Sequence, residues 1–388
     1  MRFVLFYHSL VSDWNHGNAH FLRGIVGELM ALGQHVKVFE PANGWSLRNL
    51  REQQGEGALM EFRRACPHLE SSAFELESLD LEATLDQADV VIVHEWNDPE
   101  LVRRVGLCRR RARFKLLFHD THHRAVSSPS EMERLDLSQY DGVLAFGEVL
   151  SRIYRERGWA ARTWTWHEAA DTRVFRPIEQ VVKTLDLAWI GNWGDGERAR
   201  ELHEFLLDPV RTVGSRAQVF GVRYPPEALA AIRESGIEYR GWIANYRVPA
   251  VFATAGCTVH IPRRFYRESL PGIPTIRVFE ALACAIPLVC APWDDAESLF
   301  TPGEDFLVAR DGAGMQRHLR QLQQEPEFAE AIALRGLKTL RSRHTCAHRV
   351  QELLSICAQL GADVNGRAGA VPTGNARPSA DTPFSLTR

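Results

Sequence analysis

The sequence predicts an α/β protein of two doubly wound, Rossmann-like domains facing each other across a cleft. Three observations predict it. Short apolar runs alternate with stretches of helical periodicity along most of the chain, the order that yields parallel strands with right-handed crossovers. The runs lack in–out alternation, as strands covered on both faces do. The series also breaks near residues 171–184 and starts again, and 388 residues exceed what one ordinary core organises.

The first domain is expected over residues 1–176. "RFVLFYH" opens it as a strand, "SDWNHGN" is loop, and "AHFLRGIVGELMALG" is a helix stopped by Gly33 as its C-cap. "HVKVFEP", "DVVIVHEW", "RFKLLFHD" and "DGVLAFG" follow as strands. The second domain, residues 177–345, takes "LDLAWIGN", "AQVFGV", "IEYRGW", "CTVHIP", "IPLVCAP" and "DFLVAR" as strands. Residues 346–360 read as a C-terminal helix that packs back on the first domain. Residues 361–388, rich in Gly, Ala, Pro, Ser and Thr without periodicity, read as a disordered tail.

Composition removes several functions. Hydrophobic content of 45% with 24% charged residues fits a soluble globular protein. A net charge of -3 argues against a dedicated nucleic-acid binder, so no nucleic-acid partner is expected. Seven cysteines with no CxxC pair do not form a disulfide framework. No apolar run reaches the ~18 residues of a spanning helix, and "MRFVLFYH" lacks the features of a secretory signal. A cytoplasmic, reducing location is the expectation. The basic run Arg103–Lys115 suits either peripheral contact with an anionic membrane face or an ordinary solvated helix.

Ligands of open α/β sheets bind beyond the carboxyl ends of the strands. That directs inspection to His8, His94–Glu95, His119–Asp120, Gly191–Asn192, Gly241–Trp242 and His260. Within the apolar stretch "TIRVFEALACAIPLVCAP", Glu280 stands alone. The turn residues Pro271 and Gly272 lead to Thr275, a potential cap of the helix "IRVFEALAC", and a helix mouth of this kind binds anions. Phosphates at Gly272–Thr275 with ribose hydroxyls on Glu280 make a nucleoside diphosphate site. Alternatively Glu280 simply pairs with Arg277, one turn earlier. In "GNWGDGERAR" the glycine-rich turn carries Asn192 and Arg198, and "PRRFYRE" adds Arg263; these suit a diphosphate or a surface pair. In "FHDTHH", His119, Asp120 and His122 suit sugar orientation and charge stabilisation at the cleft, or a solvated loop. The cluster lacks a second ligand set, and no metal is expected. In "WNHGNAH", Gly17, Asn18 and His20 are expected to shape the acceptor side.

Four segments, in order, resemble retaining GT-B glycosyltransferases: "ALGQHVKVFEP", "HEAADTRVFRP", "LAWIGN" and "RVFEALACAIPLV". The wording of "HDTHHRA" and "IRVFEALAC" is most similar to the CgeB-like, spore-maturation-type members. The resemblance implies the GT-B architecture and transfer from a nucleotide-sugar donor to a glycan, lipid-linked or protein acceptor, of the hexosyl-retaining type, without metal or cofactor. It implies donor-sugar contact by His119 or His122, with a place in polysaccharide synthesis. One departure stands: the first Glu of the family's E-x7-E pair is Gly272 here. A sugar-nucleotide epimerase and a non-catalytic carbohydrate-binding protein share the architecture and remain alternatives.

Overall fold

The computed structural model describes residues 1–194 and 196–363. The first domain holds seven parallel strands: β1 (Arg2–Phe6), β2 (His35–Pro41), β3 (Ser72–Phe74), β4 (Val90–His94), β5 (Lys115–Asp120), β6 (Gly142–Ala145) and β7 (Thr163–Thr165). Their order is β3-β2-β1-β4-β5-β6-β7. The second holds β8 (Leu185–Ile190), β9 (Ala217–Phe220), β10 (Glu238–Tyr239), β11 (Ala255–His260), β12 (Leu288–Cys290) and β13 (Leu307–Val308), in the order β10-β9-β8-β11-β12-β13. β3 and β7, each three residues at a sheet edge, carry too few apolar residues to register as runs in the sequence.

The missing alternation has a direct cause. Along β1, Phe3 and Leu5 enter one core while Val4 and Phe6 enter another on the opposite face. The first of these cores also takes Ala188 and Ile190 of β8 and Leu288 of β12, so the two domains share buried apolar contact. The helix Cys346–Gln359 belongs to that core through Val350 and Leu353, and Trp166 Nε1 donates to Arg349 O at 2.8 Å. It lies against the helix Ala19–Ala31, where a Cβ on Gly24 would stand 2.4 Å from Cys346 Sγ. Gly33 (φ +73°) closes that first helix, with Gln34 N–H donating to Leu29 O.

Strand order reverses between β1 and β4 and again between β8 and β11, which opens a crevice at each pair of carboxyl ends. Nearby, Gly221 is held at φ +152°, and a Cβ there would stand 1.8 Å from Gly191 O. Gly221→Ala therefore forces the ends of β8 and β9 apart. It is expected to cost about 2–3 kcal/mol, measured by denaturant unfolding.

One expectation changes. Gly361 and Ala362 belong to the end of the last helix, since Ala362 N–H donates to Cys357 O at 2.9 Å; the rest of the anticipated tail lies outside the described residues. Within the basic run, several arginines carry surface partners. Arg103 pairs with Glu100, Arg109 with Asp141 and Arg111 with Glu82, while Arg104 donates to Leu76 O and Leu79 O. Among the described residues no helix is long and apolar enough to cross a membrane, and all seven cysteines are free thiols.

Candidate functional site

Between the two sets of strand ends lies a cleft of about 860 Å³. Its second-domain wall is cationic. Arg198 spans the β8/β11 crevice: Nη1 donates to Ile261 O at 2.7 Å and Nη2 to Asn192 O at 2.7 Å. Its guanidinium pairs with no carboxylate among the described residues, and Nε has no partner. Burial, then the neighbouring Arg263, lowers its pKa to about 10. Arg263 lines the same wall, paired to Glu197 at 2.7 Å and donating to Asn192 Oδ1 at 3.3 Å. Arg277 completes the set. An arginine buried without a counter-ion is costly, and an arriving anion offsets that cost.

Thr275 lines the cleft, but its hydroxyl meets His260 Nε2 at 3.1 Å instead of capping the helix Ile276–Ala283. Gly272 N–H donates to Asp294 O at 2.7 Å, and Glu168, a buried carboxyl from the interdomain segment, lies near the Ile276 N–H. Burial, then nearby Glu280, pushes Glu168 well above the usual carboxyl range. Gly272 faces away from the cleft, and a Cβ there would stand 2.9 Å from Glu297 Cγ. The cationic groups on this wall are therefore the arginines, and Gly272 is not part of it.

Glu280 also departs from its expected ribose role. It is 0% exposed and off the cleft wall. Oε1 accepts from Asn245 Nδ2 at 2.8 Å and from His20 Nδ1 at 3.0 Å; Oε2 pairs with Arg277. Asp171 N–H donates to His20 Nε2 at 2.7 Å, which leaves the imidazole proton on Nδ1, facing Glu280. Burial alone would raise the Glu280 pKa, but Arg277, His20 and Asn245 together hold it below the usual value. The pairing alternative read from the sequence is the one present, extended by a partner in the other domain. His20 is accordingly a buried interdomain strut stacked on Phe175 (4.0 Å), not an acceptor residue.

On the first-domain wall, His122 reaches the cleft and packs on Trp96 (5.0 Å) and His123 (4.0 Å), with Nδ1 unpartnered. Burial, then His123, lowers its pKa well below the usual value, so the ring is neutral at pH 7. His119 does not reach the cleft: it pairs in register with His94 and Leu144 inside the sheet and packs on Trp166 (4.8 Å). Asp120 is fully buried, accepting from Tyr154 Oη at 2.7 Å and from His122 N–H at 3.0 Å. It holds the loop and touches no ligand space. Asn18 lines the cleft and donates to Thr121 Oγ1 at 2.6 Å. A Cβ on Gly17 would stand 3.6 Å from Arg277 Nη2, which puts this glycine against the arginine wall rather than the acceptor side.

Sequence reasoning passed over His123, Glu168, Trp45 and Glu197. His123 stacks on Phe265 of the other domain (5.0 Å, 19°) and follows His122 in the same motif, the one signal available. Among the described residues no group of three or more His, Cys, Asp or Glu is arranged to hold a metal.

Residues 198–355 match the family model described as "Glycosyl transferase-like". No curated protein matches the chain in sequence. In structure it is similar to Anabaena HepE in complex with UDP and glucose, at 14% identity and TM-score 0.66, over 92% of this chain and 100% of that one. Sucrose-phosphate synthase from Thermosynechococcus elongatus aligns at 13% identity and TM-score 0.66, over 93% and 99%. An α-glucosyltransferase in complex with UDP and a 13-mer DNA aligns at 11% identity and TM-score 0.66, over 92% and 99%. The two facing Rossmann-like domains are thus the GT-B fold.

Proposed function

We propose that the chain is a glycosyltransferase that takes its sugar from a nucleoside diphosphate sugar, with a UDP-sugar as the first donor to test. The observation that carries the reading is Arg198, a partly buried guanidinium with no carboxylate partner among the described residues, at the β8/β11 crevice and flanked by Arg263 and Arg277. As the bond from the anomeric carbon to the diphosphate breaks, negative charge grows on the leaving phosphate. Donors fixed in place before the reaction stabilise that charge without reorganising. The match of residues 198–355 to the transferase model and the UDP held by Anabaena HepE support the same reading. The His-rich "HDTHH" loop keeps the CgeB-like subtype within the proposal, and retention of anomeric configuration is the outcome that resemblance favours; product NMR reads it directly.

The arginines take the role that a divalent cation has in metal-dependent transferases, so activity should survive EDTA. UDP at 100 times its Kd should stabilise the protein by ~2.7 kcal/mol, seen as a raised melting temperature. No shift with UDP or other nucleoside diphosphates would sink the proposal.

His122 faces this site from the other domain. His122→Ala should lower kcat about 100-fold while changing UDP affinity by less than about threefold, the pattern of a group used chiefly in the transition state. Equal losses in both would place His122 in ground-state binding instead.

A further inference from the structure

We propose that the first-domain wall of the cleft seats an extended, uncharged carbohydrate acceptor along an aromatic belt formed by Trp45, His8, Trp96 and His122. The inference rests on the nucleotide-sugar reading and adds the acceptor's chemical class. Sheet order builds the belt: these residues follow β2, β1, β4 and β5, which are neighbours in that order. Their ring centroids stand 6.1, 6.2 and 5.0 Å apart in turn. Four strand ends at about 4.8 Å spacing span roughly 15 Å, longer than a single sugar ring.

Trp45 and Trp96 line the cleft at 36% and 39% exposure. Arg124 covers one face of Trp96 and Arg223 stands 6.0 Å over Trp45, so the C–H face of a pyranose would pack on the exposed remainder of each ring. His16 also lines the cleft and packs 5.2 Å from His8, and the buried nitrogens His122 Nδ1 and His16 Nε2 have no hydrogen-bond partner among the described residues. Burial lowers the pKa of His8 to about 4, with Arg124 adding to the effect, so the belt is neutral at physiological pH. The arginine beside the belt, Arg124, is committed to Glu95 at 2.6 Å and lies over the Trp96 ring at 4.2 Å. Asp13 and Glu131 line the same part of the cleft. Asp13 is paired with Arg23 and Glu131 with Arg124, and Arg223 stands over Trp45. The charges beside the belt are thus largely matched, and a neutral glycan meets aromatic surface there.

The test uses the full chain saturated with UDP. Neutral tetrasaccharides of glucose, mannose, galactose and N-acetylglucosamine are titrated by saturation-transfer NMR. At least one should bind, with transfer to more than one ring. Its Kd should rise about tenfold in Trp45→Ala and in Trp96→Ala, and stay within about threefold of wild type in the two Trp→Phe variants. UDP titration of the same proteins reports whether each variant is folded. The proposal is overturned if no tetrasaccharide binds a protein that binds UDP, or if the alanine variants bind as wild type does. Binding of a DNA oligonucleotide in place of the glycans overturns it equally. Failure of wild-type protein to bind UDP is a separate result: it removes the nucleotide-sugar reading, and the acceptor role with it.

Discussion

Glu280→Ala is expected to destabilise the protein by about 3–5 kcal/mol, because it strands two buried groups and a half-buried arginine at once. His20 Nδ1, Asn245 Nδ2 and Arg277 all lose their shared acceptor, and these groups come from both domains. The loss should show as an earlier first transition in denaturant unfolding. Glu280→Gln keeps one acceptor oxygen and should fall between the two. UDP affinity should drop only modestly in either variant, as Arg277 loses its anchor but not its charge. A variant with wild-type stability and abolished UDP binding would return the carboxylate to the ligand and reject the buried network as its role.

Arg198→Met should give the opposite profile. Its guanidinium is partly buried with carbonyl and amide oxygens as its partners, so removing it deletes a charge that burial penalises. Stability should fall far less than for Glu280→Ala. UDP affinity should fall about 100-fold, or about 2.7 kcal/mol, the scale of charge-assisted hydrogen bonds to a diphosphate. Calorimetry with UDP and with uridine separates the contributions: uridine, lacking phosphates, should bind both proteins alike. If UDP binds the variant as tightly as wild type, the arginine wall is not the diphosphate site.

The fold was legible because each long strand is a continuous apolar run, and apolar runs survive translation into structure when both sheet faces are covered. Only the three-residue edge strands β3 and β7 escaped. Placing the site was harder. Residues just past a strand end, such as Asn192 and His122, do line the cleft. His119 sits too early in its strand to do so, since it still has ladder partners on both sides. Glu280 was correctly singled out as a buried carboxylate that needs partners, yet His20 is 260 positions away in sequence and no local spacing points to it. Gly272 was read through a loop pattern, whereas its surroundings are fixed by Asp294 and Glu297 of a later segment.

The last helix, which covers Ala19–Ala31 and receives the Trp166 indole hydrogen bond, also constrains how the chain is made. During synthesis the first domain emerges complete in its sheet but with one apolar face uncovered. At ~5–20 residues per second, the ribosome keeps that face waiting on the order of ten seconds while the second domain is translated. A nascent chain in this interval is a natural client for a holding chaperone, and a chain terminated before residue 346 would keep both sheets but leave that apolar face uncovered. Expression of residues 1–176 alone should accordingly yield aggregates, and supplying residues 346–360 in tandem should restore solubility.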